Sequence, residues 1–146
     1  GVAALEGSGG NADEATTVRC VVDVFGPNDL VDLDLTASEY WGKVRRKLLA
    51  KLLGGVPEKT KDLARAASPV AYVSKDDPPV LIVHGTKDPL VPFRQATLFE
   101  EALKAGGVEA ILLPVKGAAH GWKDKPDVDA AIAAFFAKQL RRSAPR

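Results

Sequence analysis

Methionine is absent from all 146 residues, position 1 included. A translated chain opens on methionine unless it is processed, so this one is expected to begin inside a longer protein. Cysteine is nearly absent too. Cys20 stands alone, which excludes an internal disulfide and a cysteine-built zinc site. Flanked by Val18, Val21 and Val22, it reads as a small apolar strand residue. No segment approaches the roughly eighteen apolar residues of a membrane span, and no charged-then-apolar signal opens the chain. Any signal peptide would lie upstream of Gly1, so the sequence assigns no compartment. Neither sign of charge is in surplus: 20 cations against 19 anions leave +1, no global field for nucleic acid or an acidic membrane. Histidine occurs only at positions 84 and 120, and no His or acid spacing forms a metal site.

The remainder has the makings of one globular domain, with 46% hydrophobic and 27% charged residues. Residues 1–17 are loop-rich, with Gly7-Ser8-Gly9-Gly10-Asn11 the strongest loop signal. Val18 to Phe25 reads as a buried strand stopped by Gly26-Pro27. Asp29, Asp32 and Asp34 lack the glycine turn and terminal Glu of a calcium loop and read as capping and solvated positions. From Ser38 to Leu53, Trp41, Val44, Leu48, Leu49, Leu52 and Leu53 recur at helical spacing, with Gly54-Gly55 as the stop. The opposite face, Lys43, Arg45, Arg46, Lys47 and Lys51, reads as solvated rather than as a nucleic-acid surface, and Tyr40 and Trp41 as core packing.

A short helix over Thr60–Ala67 and an extended Val70–Val73 follow. Val80 to Val83 is a continuous apolar run, suited to a parallel strand covered on both faces. After it come a helix from Pro92 with the stripe Phe93, Ala96, Phe99, Ala102 and Leu103, then a strand over Glu109–Val115. A loop over 116–125 leads to a last helix with the stripe Val128, Ala131, Ile132, Phe135, Phe136 and Leu140, and 143–146 is a loose tail. This order predicts right-handed crossovers on a parallel sheet flanked by helices, an α/β layer fold.

In such sheets chemistry gathers beyond the carboxyl ends of strands, where Asp88 and His120 both fall. One strand-helix-strand unit separates them, bringing their loops side by side. A carboxylate that accepts the Nδ1 proton of a histidine fixes the tautomer whose Nε2 takes a proton from a nucleophile. Small residues around His120 (Gly117, Ala118, Ala119, Gly121) let its loop turn tightly. His84 is read as packing or bonding locally.

Three segments carry a family likeness: Ala67-Ser68-Pro69-Val70, the run Pro79 to Pro92 containing His84-Gly85-Thr86-Lys87-Asp88-Pro89, and Gly117-Ala118-Ala119-His120-Gly121-Trp122. They resemble the C-terminal half of α/β-hydrolases, in particular bacterial esterases and lipases related to feruloyl-esterase-like and prolyl-oligopeptidase-like enzymes. The likeness extends over nearly the whole chain. It implies Asp88 as triad acid, His120 as general base, a small ester as substrate and no cofactor; Trp122 stands where phenylalanine is commoner. One departure is large: the Gly-x-Ser-x-Gly elbow that precedes acid and base in the family is missing. Glu6-Gly7-Ser8-Gly9-Gly10 comes nearest, making Ser8 the candidate nucleophile, but Glu6 replaces the first glycine and Gly1 to Leu5 makes a poor strand. The oxyanion hole would be missing too, since in the family one of its donors follows the nucleophile and the other comes from an earlier loop.

Two expectations follow. The chain carries two-thirds of the triad of a serine esterase, or of a prolyl-oligopeptidase-type peptidase, and is inactive alone. Alternatively, it persists as a non-catalytic module that pairs with a missing N-terminal half or dimerises through an exposed sheet edge.

Overall fold

Three parallel strands form the sheet in the order β1-β2-β3: β1 Val21–Val24, β2 Val80–Gly85 and β3 Ala110–Val115. The computed structural model describes Gly9, Glu14, residues 16–33 and residues 39–141. The helices are α1 Glu39–Leu53, α2 Lys61–Ala66, α3 Arg94–Ala105 and α4 Pro126–Arg141, with 3-10 turns over Pro57–Lys59 and Pro69–Tyr72. Register is in step across the sheet, Val21 facing Val80 and Val80 facing Ala110.

The central strand β2 is buried at all six positions, Val80 to Val83 as their unbroken apolar run predicts and His84 and Gly85 beyond the expected end. Val80 and Ile82 point to one face, where Ala96, Phe99 and Leu103 of α3 and Val108 cover them. Leu81 and Val83 point to the other, against Val115 and the α4 residues Val128 and Phe135. Helices on both faces of a parallel sheet give the expected α/β layers. A smaller cluster, Leu30, Leu33, Leu49 and Ala64, joins the segment after β1 to α1 and α2.

Several local expectations are corrected. The first strand starts at Val21 rather than Val18, because pairing begins at Val21 N–H to Pro79 O and β2 offers no partner before Val80. Cys20 lies before the strand, half-buried against the α4-side core. Val70–Tyr72 is not extended: Pro69 presets a 3-10 turn, closed by Ala71 N–H to Ser68 O, and only Val73 leaves it in an extended conformation. Tyr40 is 67% exposed rather than core. On α4, Phe136 and Leu140 are exposed while Gln139 is buried, so the buried stripe is Val128, Phe135 and Gln139. On α3 the buried Gln95 ties the chain after β1 to the helix, accepting Asp29 N–H at 2.7 Å and donating to Asp32 O at 3.2 Å. Ser8, Asp34, most of the loop-rich segment 1–17 and the tail 143–146 lie outside the described residues.

Candidate active site

Two loops meet at the carboxyl end of the sheet. Parallel pairing of β2 with β3 delivers them side by side, and cross-bonds fasten them: Thr86 N–H to Val115 O at 3.1 Å, Lys87 N–H to Ala118 O at 2.9 Å and Gly117 N–H to Thr86 Oγ1 at 2.9 Å. The approach is so close that a Cβ on Gly85 would sit 2.2 Å from Ala119 O. Only glycine fits there. Gly121, with φ at 140°, turns the second loop just past His120.

This junction places His120 Nδ1 2.7 Å from Asp88 Oδ2. The Asp88 side chain is wholly buried, whereas His120's is 38% exposed. Asp88 Oδ1 accepts the backbone N–H groups of Leu90 and Val91 at 2.8 and 2.9 Å, an Asx turn that holds the carboxylate plane. Oδ2 therefore aims at the ring, Nδ1–H donates to it, and the lone pair falls on Nε2.

His84 lies beneath, fully buried, with Nε2 2.9 Å from Val91 O and 3.3 Å from Asp88 Oδ2. Its Nε2–H donates to the Val91 carbonyl and flanks the carboxylate, so it braces the acid's loop from below. The expectation that it bonds locally understates its position. Phe25 closes the other side, with ring centroids 5.5 Å from His84, 5.0 Å from His120 and 4.9 Å from Trp122. Its φ of 60° is unusual for a bulky residue, and nothing in the sequence signals it.

His120 also lines a pocket of about 360 Å³ walled by Phe25, Leu30, Leu48, Leu49, Leu90 and Val91, among others. Arg45 belongs to the same wall and is 2% exposed, so it departs from the solvated face expected for it. The clue available was phase: Gly42, Arg45 and Leu49, at i, i+3 and i+7, are the buried stripe of α1. Two described serines are committed elsewhere. Ser68 is buried, with Oγ donating to Ala64 O and accepting Leu30 N–H, and Ser74 sits in a turn with Asp77. Among the described residues no cluster of three or more potential metal ligands occurs.

A parallel sheet with helices on both faces, a buried acid after one strand and a histidine bonded to it after the next constitute a partial α/β-hydrolase. The chain belongs to the BD-FAE family, whose model matches residues 4–103, a stretch that includes Asp88 and stops short of His120. It is similar to Esterase LipC of Mycobacterium tuberculosis, 29% identical over 134 residues, covering 88% of this chain and 32% of that protein. Among solved structures, a truncated form of a carbohydrate esterase from gut microbiota superposes with a TM-score of 0.74 at 28% identity, covering 91% of this chain and 47% of that one. The esterase Est2 of the planctomycete Thermogutta terrifontis gives 0.66 at 26% identity, covering 97% and 49%. The chain thus spans less than half the length of each of these relatives.

Proposed function

We propose that this chain supplies the acid and base of a serine-type carboxylic ester hydrolase, with His120 as base then acid and Asp88 as the carboxylate that orients it. The observation that carries the reading is the 2.7 Å bond between His120 Nδ1 and an Asp88 carboxylate whose other oxygen is saturated by two backbone amides. In the first half-reaction a serine Oγ attacks the ester carbonyl while its proton passes to His120 Nε2. The carbon–alkoxy bond then breaks, and the alcohol leaves with that proton. In the second, water attacks the acyl-enzyme, its proton passes to Nε2, and the acid departs as the serine regains its hydrogen. Asp88 stabilises the imidazolium formed in each half.

The serine is proposed to come from polypeptide outside these 146 residues rather than from Ser8. The chain joined to the coding sequence upstream of Gly1 is then expected to hydrolyse p-nitrophenyl butyrate and to lose turnover on His120→Ala. The 146 residues alone should show almost none. Turnover that survives His120→Ala sinks the assignment. Cleavage of a p-nitroanilide amide in preference to the ester would move the reading to a peptidase.

A second reading is favoured by one observation: among the described residues no strand pairs with the outer edge of β1, where Val21 and Val24 are 37% and 43% exposed. In that reading the chain is a folded module that associates through this edge.

A further inference from the structure

Arg45 is a buried cation whose charge is only partly answered. Nη1 donates to Pro89 O at 2.8 Å, bracing the loop that carries Asp88, while Nε and Nη2 are buried without an acceptor among the described residues. These two nitrogens lie along one edge of the planar guanidinium, the fork that receives a carboxylate. The same molecule shows that edge in use: Arg94 directs Nε and Nη2 at Asp32 Oδ2, at 2.9 and 2.6 Å. Among the described residues, three acids on the neighbouring segments are committed elsewhere, Asp32 to Arg94, Glu58 to Arg46 and Asp88 to His120. A guanidinium keeps its charge in every protein environment, and a buried polar group left without a partner is rare enough to call for one.

The partner can arrive through the pocket, because Arg45 and His120 belong to the same wall. The rest of that wall is predominantly apolar, which disfavours a bare hydrated anion and suits an apolar chain ending in one. Nε and Nη2 are themselves covered, so a carboxylate reaches them only when a side chain of that wall moves; Leu48, one turn further along α1, is 51% exposed.

We infer that the unpaired fork of Arg45 recognises a carboxylate on the substrate, so that the pocket takes half-esters of dicarboxylic acids. The free carboxylate meets Arg45, the methylene chain packs on Leu48, Leu49 and Val91, and the ester lies at His120. This deepens the ester-hydrolase reading and rests on it for the orientation of the ester, but binding requires no nucleophile and can be measured separately from turnover.

The test is a titration of the ¹⁵N-labelled chain with the monomethyl esters of succinate, adipate and suberate, each against its dimethyl counterpart. Readouts are the Arg45 Nε–H resonance and the Leu90 and Val91 amides. At least one monoester is expected to move the Arg45 resonance and to bind at least about tenfold tighter than its diester, as a hydrogen-bonded charge should. Arg45→Met and Arg45→Lys, checked for folding by thermal melts, should reduce or abolish that preference. Equal binding of monoester and diester by the unmodified chain overturns the inference, even if neither variant folds. So does a preference that survives in a folded Arg45→Met. Absence of ester turnover by the chain joined to its upstream sequence, with the binding preference intact, would count against the hydrolase reading alone.

Discussion

Phe25 holds a backbone angle that costs a bulky residue about 1–2 kcal/mol, and its ring touches His84, His120 and Trp122. Strain and contact can be separated by two substitutions. Phe25→Ala removes the ring and keeps the strained backbone; Phe25→Gly removes both. Urea unfolding should therefore find the glycine variant more stable than the alanine variant by about 1 kcal/mol, although alanine is the smaller change. The reverse order would mean that the left-handed angle carries no cost here. At Asp88 the argument is chemical. Asp88→Asn keeps the size but offers His120 Nδ1–H no charge and can turn an amide toward the ring. In the hydrolase reading, kcat should fall by about 10⁴ with KM little changed, measured on the chain joined to its upstream sequence. Asp88 and His120 were legible in the sequence because strand ends and a crossover fix where their loops emerge. Phe25's angle and the open fork of Arg45 were not, since each depends on what packs against the residue in space.

The helix α1 shows the same limit at the next scale. Its leucines announce a helix, and a helix over Glu39–Leu53 is what forms. Its orientation was harder to read, because with so many apolar residues the periodicity admits more than one buried stripe. Packing selects Gly42, Arg45 and Leu49, and leaves Leu48 and Leu52 at 51% and 66% exposure beside the pocket. Leu49→Ala should accordingly cost about 2–4 kcal/mol in urea unfolding, whereas Leu52→Ala should stay within about 0.5 kcal/mol. Equal costs would show that the helix is turned differently. For β2 the sequence sufficed, since a strand covered on both faces needs only an unbroken apolar run and leaves no phase to misjudge. For Val70–Val73 it did not: an extended segment was expected, and the preceding proline sets a 3-10 turn through Tyr72 instead.

At the scale of the whole molecule, the sheet edge is the feature with the largest consequence. Val21 and Phe25 donate inward, to Pro79 O and Val83 O. Alternation along a strand then turns the N–H groups of Val22 and Val24 toward the outer edge, where among the described residues no strand accepts them. An open edge carrying exposed valines is a template for another strand. The 146-residue chain is therefore expected to self-associate, with a mass by light scattering at or above the dimer at about 100 μM, a concentration where weak contacts saturate. Val24→Pro provides the control, because it deletes an outward donor, spares the inward bonds to β2 and falls on an edge strand, where proline is tolerated. A monomeric Val24→Pro beside an associated parent chain locates the contact at β1. Monomer for the parent chain at every concentration would remove the edge as an interface, and with it the second reading of what this chain does.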